Sequence, residues 1–476
     1  MVIKFKRMKF LKVIVLLLVP VFAFSQSIKE LLSSAIISLE KNAAFAHASV
    51  SMYVIDSKTG TVVYDKNAQL GMAPASTQKI ITCVTAFELL GKDFTYKTQF
   101  GYDGSIAGNT LNGNLYFIGS GDPSLGSSRW KQTSEETLLK KIIAALKAKN
   151  IFTIKGNLIV DASQWETQAT PRGWIWEDVG NYYGAGVWGV NWNENQYDLV
   201  LKPGKNEGDP VTILRTVPAL EKSVLINELK TGKAGSGDNS IIYLPENGCT
   251  GTVRGTVPAG PELFIVKAAI PNAPQLFLKI MQDNLAINKI ELLGKGITSI
   301  DLLADNKPLK YNPTIFLSIA SPTLDSINYW FLKKSVNLFG EAFLKTMAFK
   351  KTGSGSADSG LAIIKNFWSK RGIEKSALKI LDGSGLSPAN RITTHALVTV
   401  LQYAKEQDWF NSFYNALPEM NAIKMKDGYI SGVRSYAGYI KSKSGAAYTF
   451  AFIVNNFDGS AATVREKMWK VLDILK

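Results

Sequence analysis

Serine and lysine stand three residues apart at Ser38, Ser76, Ser128 and Ser376 of the 476-residue chain. On a helix that spacing puts both side chains on one face, where a lysine can take the proton of an attacking serine. Serine acyl transfer of this kind needs no histidine. It uses S-x-x-K at a helix start, a second Ser-x-Asn, and a Lys-Thr-Gly strand. Ser-x-Asn occurs at Ser326 and Ser335, Lys-Thr-Gly at Lys58, Lys230 and Lys351, and Lys-Ser-Gly at Lys443. Other chemistries are poorly supplied. His47, His395, Cys83 and Cys249 are the only histidines and cysteines. They cannot form a zinc site without carboxylates, nor a Cys-rich ribbon or an iron–sulfur cluster. No metal and no cofactor are expected.

The elements that must position such a site follow from pattern. Hydrophobic residues make up 46% and charged residues 20% of the chain, an ordinary globular composition that excludes disorder. In residues 48–55 Val50, Met52 and Val54 alternate onto one face. A turn at 56–60 and the segment TVVYD complete a hairpin. Pro74-Ala75-Ser76 then opens a helix running to about Leu90. Residues 97–311 are rich in Gly and Asn, with short strands and one amphipathic helix near 135–149. From Pro322 onward helices dominate, at 323–334, 338–349, 360–371 and 393–407. YISGVRSYAGYIK, AAYTFAFIVNN and a closing helix at 460–475 end the chain. Two N-terminal and three C-terminal strands suit one α/β domain split by an insertion.

Context selects among the tripeptides. Only Ser76 follows a hairpin and stands in the first turn of an apolar helix, with Lys79 on the same face. Free N–H groups at a helix start can bind a developing oxyanion. Taken alone, Ser76 reads more simply as a capping serine and Lys79 as a solvated lysine. Ser326 and Asn328 fall inside a helix and point to different sides, whereas Ser335 and Asn337 lie between two helical runs. A plain turn would use the same residue types. Lys58 is in a hairpin turn, Lys230 in a polar loop, Lys351 in a flexible linker and Lys443 in the last turn. Lys426-Asp427-Gly428 remains, ahead of two further strands.

The first 25 residues carry Lys4, Lys6, Arg7, Lys9 and Lys12, then an apolar run from Val13 to Phe24. Small residues at Ala23 and Ser25 follow, the form of a signal peptide cleaved before Gln26. The run of about 12 residues is short for a spanning helix, so a periplasmic or secreted protein without a stable membrane span is expected. The formal charge of +15 falls to about +10 without those five residues. In an exported chain this favours an anionic envelope polymer over nucleic acid. Cys83 and Cys249 could pair in an oxidising compartment, or Cys83 could be a buried thiol.

PASTQK (74–79), YFIGSGDPSL (116–125), GNLIVDASQW (156–165), GWIWEDVGNYYGA (173–185), KKSVNLFGE (333–341), LDGSGLSPANRIT (381–393) and SGVRSYAGYI (431–440) together resemble the D-alanyl-D-alanine carboxypeptidase/endopeptidase family, the class C low-molecular-weight penicillin-binding proteins. The resemblance spans nearly all of the chain after residue 25. It implies an α/β penicillin-binding, serine β-lactamase-like transpeptidase domain, with an antiparallel sheet flanked by helices and an all-α part. Residues 26–96 and 312–476 would form this catalytic domain, and 97–311 an inserted, mostly β region of two nested domains. Ser76 would be the nucleophile and Lys79 its proton acceptor. Ser335 would relay the proton to the leaving amine, Asn337 hold the substrate's amide, and Lys426 supply charge. Backbone N–H groups of Ser76 and Tyr429 would form the oxyanion hole, with Asp427, Gly428 and Tyr429 lining the substrate.

The resemblance also implies that Trp174, Trp176, Tyr182 and Tyr183 help bind a diamino-acid side chain. The default for such a cluster is a core of the inserted region. Asp382 reads as a structural turn. One departure stands out. The family carries Thr or Ser between Lys and Gly, and here Asp427 stands there. Two like charges about 4 Å apart at an effective dielectric of ~20 repel by about 4 kcal/mol, and Lys426 offers an attraction of similar size. The implied function is a serine D-Ala-D-Ala carboxypeptidase acting on peptidoglycan peptides, with β-lactams as covalent inhibitors. A β-lactamase on the same fold and a catalytically weakened cell-wall-binding homologue are the alternatives.

Overall fold

A computed structural model of the chain describes Met1, residues 27–220 and residues 223–476. The stretch read as a signal peptide lies, apart from Met1, outside these residues. Among them no helix is long and apolar enough to cross a membrane.

Alternating apolar residues build one six-stranded antiparallel sheet. Its order is Val62–Lys66, Ser49–Asp56, Ala447–Asn455, Val433–Lys441, Ile423–Ile430 and Glu419–Met420. The first strand of the hairpin pairs with the last strand of the chain, Val50 opposite Val454 and Val54 opposite Phe450. Val50, Met52 and Val54 face the helices Ile28–Glu40 and Ala461–Leu472, where they meet Leu32, Ile36, Val464 and Met468. Tyr53 and Ile55 point the other way, into a larger core. There the helices Lys79–Leu90, Leu324–Lys333, Asn337–Thr352 and Thr394–Ala404 cover the sheet. Thr323 and Thr393 start two of those helices by accepting a backbone N–H three residues on.

Between the two halves of this unit, Lys97–Tyr102 pairs antiparallel with both Leu115–Ile118 and Thr314–Ala320. The strand Thr314–Ala320, which follows the boundary expected at 311, is therefore in the same sheet as Lys97–Tyr102, so the two ends of the inserted region come together in space. Its first sheet packs on the helices Glu135–Ala148 and Ala273–Ile287 around Phe117, Leu146 and Phe277. The second helix departs from the expected β character. Its signals are local: Asn272 caps it and Pro274 occupies its first turn. A separate core around Leu199, Leu229, Val253 and Val266 holds two three-stranded sheets built from residues 196–269.

Candidate active site

Ser76 sits in the turn of 3₁₀ helix Ala75–Gln78 that runs directly into the helix Lys79–Leu90. Ala75 before it is fully buried with φ of 46°, a left-handed conformation that costs a non-glycine residue energy and persists only where its surroundings enforce it. Lys79 is completely buried. Its Nζ donates to Ser76 Oγ at 2.9 Å, to Asn337 Oδ1 at 2.6 Å and to the Ser384 carbonyl at 2.7 Å. Burial and the nearby charge of Lys426 push its pKa down to about 7, against the opposing pull of Asp382, Glu341 and Asp427. A lysine so placed is half neutral near pH 7, the state in which it can accept a proton.

Ser335 and Asn337 come from the connection between the helices Leu324–Lys333 and Asn337–Thr352. Ser335 has φ of 57°, which turns its side chain out of both helices. It lines, together with Ser76 and Asn337, a cleft of about 800 Å³. Asn337 bridges two parts of the protein, since its Nδ2 donates to the Tyr183 carbonyl at 2.8 Å. Ser326 and Asn328 are otherwise engaged. Ser326 Oγ accepts from Trp130 Nε1, and Asn328 Nδ2 lies 2.8 Å from Cys83 Sγ. Cys83 is a buried free thiol and Cys249 an exposed one.

Lys426 lies on the strand Ile423–Ile430, fully buried. Its Nζ donates to the Asp427 carbonyl at 2.7 Å and to Asp427 Oδ1 at 3.0 Å. Burial lowers its pKa despite Asp427. Asp427 Oδ2 is 3.8 Å from Arg434 Nη2. Burial works against its charge, yet Lys426 and Arg434 hold the Asp427 carboxyl below the usual carboxylate range. Gly428 runs so near Ser76 that a Cβ there would lie 2.8 Å from the Ser76 nitrogen. Tyr429 is half exposed and lines the cleft. The other lysines lie elsewhere. Lys230 is in the strand Val224–Gly232 of the inserted region, not in a loop. Lys351 is in the last turn of the helix Asn337–Thr352, not in a linker.

The aromatic segment divides. Tyr182 and Tyr183 line the cleft with Asp178, whose carboxyl is raised to about 6 by burial and by Glu177. Trp174 does not line it. It is buried, and its Nε1 donates to Asp382 Oδ2 at 2.9 Å. Trp176 does not line it either. It is exposed, with its ring 6.2 Å from that of Tyr243. The two tryptophans expected to help bind substrate thus stand apart from the two tyrosines: one indole donates to a buried carboxylate, and the other is exposed beside Tyr243.

Sequence reasoning missed the buried surroundings of Lys79. Asp382 is a turn residue, as read, but it also accepts five side-chain or backbone donors, from Gln78, Gly385, Asn390, Trp174 and Ser387. Asp-Gly in LDGSG signals a turn and nothing of this burial. Glu341 is almost fully buried and accepts the Gly383 N–H. Its place four residues after Asn337 was the available signal.

Comparison with known proteins gives the family and the fold. The sequence model of the D-Ala-D-Ala carboxypeptidase 3 (S13) family matches residues 32–420. The D-alanyl-D-alanine carboxypeptidase of Actinomadura sp. (strain R39) is 24% identical over 447 residues, covering 88% of this chain and 80% of that protein. The D-alanyl-D-alanine carboxypeptidase DacB of Haemophilus influenzae is 24% identical over 416 residues, covering 83% of each. The crystal structure of penicillin binding protein 4 from Haemophilus influenzae superposes with a TM-score of 0.78 at 22% identity. It covers 94% of this chain and 99% of that one, so the fold is a penicillin-binding one. The chain belongs to the D-Ala-D-Ala carboxypeptidase 3 (S13) family and is a serine-type D-Ala-D-Ala carboxypeptidase, a hydrolase.

Proposed function

We propose that the protein is exported and trims D-Ala-D-Ala ends of peptidoglycan stem peptides through an acyl-enzyme on Ser76. The observation that carries this reading is the 2.9 Å contact between Lys79 Nζ and Ser76 Oγ, made by a lysine fully withdrawn from water. Neutral Lys79 takes the Ser76 proton as Oγ bonds to the penultimate D-Ala carbonyl carbon. Backbone N–H groups of Ser76 and Tyr429 receive the oxyanion. The proton passes through Ser335 to the departing D-alanine amine as the C–N bond breaks. Water then cleaves the ester and restores Ser76. Asn337 and Tyr183 stand where the stem peptide would run, and Tyr182 and Asp178 extend the same wall.

β-Lactams carry an amide in the same relation to a carboxylate and should acylate Ser76. Intact-mass spectrometry after incubation with penicillin tests this. Wild type should gain the mass of one penicillin and Ser76→Ala none. An adduct that persists in Ser76→Ala would sink the assignment. A second reading, cleavage of D-Ala–diamino-acid crosslinks, is favoured by Asp427, which occupies the side chains of Lys426 and Arg434. Mass spectrometry of digested muropeptides separates loss of terminal D-alanine from loss of crosslinks.

A further inference from the structure

Glu341 follows Asn337 by four residues on the helix Asn337–Thr352, so the two side chains leave the same helix face. Both Glu341 oxygens accept the Gly383 N–H, at 3.0 and 2.9 Å. The Gly383 carbonyl is fixed in turn by Thr82 Oγ1 at 2.6 Å, one turn along the helix from Lys79. A Cβ at Gly383 would lie 2.5 Å from the Gly340 carbonyl, so this loop meets the helix backbone to backbone. The next carbonyl along, that of Ser384, is one of the three acceptors of Lys79 Nζ. Glu341 thus touches neither the nucleophile nor the cleft, yet it holds the peptide that orients the base.

The same carboxyl sits among other charges. The ionisable groups around Lys79 and Glu341 are Lys426, Asp382, Asp427 and, one turn further along the Glu341 helix, Lys345. Arg434 acts on Lys426 from behind. Burial raises the Glu341 carboxyl to about 8, with the Asp382 charge adding to this, while Lys79 is lowered to about 7. Glu341 is therefore largely uncharged at the pH where Lys79 titrates and gains its charge only above it. Whenever Glu341 is ionised it favours the ammonium form of Lys79.

We propose that Glu341 is the positioning residue of the base lysine: it fixes the Gly383–Ser384 segment on which Lys79 hangs, and so aims Lys79 at the Ser76 proton. This rests on the reading of Lys79 as that acceptor.

The test is the pH profile of penicillin acylation for the full-length protein and its variants, with folding checked by thermal melting. In wild type the rate should rise through about pH 7 and level off. Glu341→Gln keeps the shape and one acceptor and cannot ionise. Its rise should stay within about half a unit of wild type, because Glu341 is largely protonated there, with a plateau lowered severalfold. Glu341→Ala should lower the plateau further, so that Gln counts as partial rescue. Thr82→Val loosens the same loop without touching charge. It should lower the plateau with the rise unmoved, and it keeps the proposal testable where a Glu341 variant fails to fold. A Glu341→Gln rise displaced by about a unit or more with the plateau unchanged would mean that Glu341 acts through charge and not through the loop. An unchanged plateau in both Glu341→Gln and Thr82→Val overturns the positioning role. Failure of the underlying reading is distinct: wild type would then show no adduct, or none that depends on Ser76.

Discussion

How much attraction Lys426 can lend to an anionic substrate depends on the charges it already meets. Its ammonium sits 3.0 Å from Asp427 Oδ1, and the other Asp427 oxygen faces Arg434 at 3.8 Å. Because Lys426 and Arg434 keep Asp427 ionised, two cations beside the strand are offset by one fixed anion. A threonine at 427 would leave both cations to the terminal carboxylate of a peptide or a β-lactam. Asp427→Thr should therefore raise the rate on a carboxylate-ended peptide relative to its amidated form. Relief of even 1.4 kcal/mol in the transition state would give about tenfold. The gain should shrink toward alkaline pH, since Asp427 is part of what keeps Lys426 protonated against burial. Initial rates on the two peptides decide it, and an unchanged ratio would show that residue 427 does not sense the carboxylate.

At the scale of elements, the strand Ile423–Ile430 is stitched to the turn that carries Ser76. Gly428 faces Ser435 on the neighbouring strand. Ser435 Oγ donates to the Pro74 carbonyl at 2.5 Å, and Thr77 Oγ1 reaches both. A Cβ on Gly428 would meet the Pro74 oxygen at 2.7 Å and the Ser76 nitrogen at 2.8 Å. Both are backbone atoms, so the strand itself must back away. Gly428→Ala should cut penicillin acylation by about tenfold or more, at a stability cost of about 1–3 kcal/mol, typical of overpacking. Acylation rate and chemical denaturation measure the two. A large loss of stability with normal acylation would mean the strand is not what sets the geometry at Ser76.

The same strand explains what could be read in advance. Local alternation identified residues 48–55 as a strand, YISGVRSYAGYIK and AAYTFAFIVNN read as further strands, and elimination by context singled out Lys426 among five candidates. Pairing over long separations leaves no local trace. Nothing in TIFLSIA announces that it pairs with Lys97–Tyr102 across the boundary expected at 311. Likewise, two tryptophans two residues apart do not reveal which ring is drawn under Asp382 and which is left exposed.

Across the whole molecule, the inserted region and the catalytic unit are joined around the reaction centre. Lys345 Nζ donates to the Gln168 carbonyl at 2.7 Å and approaches Glu166 at 3.3 Å. Ser387 Oγ donates to the Gly173 carbonyl, Trp174 Nε1 to Asp382, and Asn337 Nδ2 to the Tyr183 carbonyl. These ties hold the segment 171–183, and with it one wall of the cleft, against the elements that carry Ser76 and Ser335. Trp174→Phe keeps the packing of a buried ring and deletes one donor to a buried carboxylate, a loss of about 1.5–3 kcal/mol for a hydrogen bond to a charged group. Asp382 retains four donors, among them Gln78 beside Lys79, so the nucleophile should stay in register. The wall should not. On the proposed reading a small β-lactam would need only Ser76 and its immediate neighbours, whereas a stem peptide would also run along Tyr182, Tyr183 and Asp178. Trp174→Phe is therefore expected to leave penicillin acylation within about threefold of wild type and to lower peptide hydrolysis by about tenfold. An equal fall in both rates would mean that Trp174 acts through Asp382 on the nucleophile, and that the inserted region supports the chemistry itself rather than the fit of the peptide.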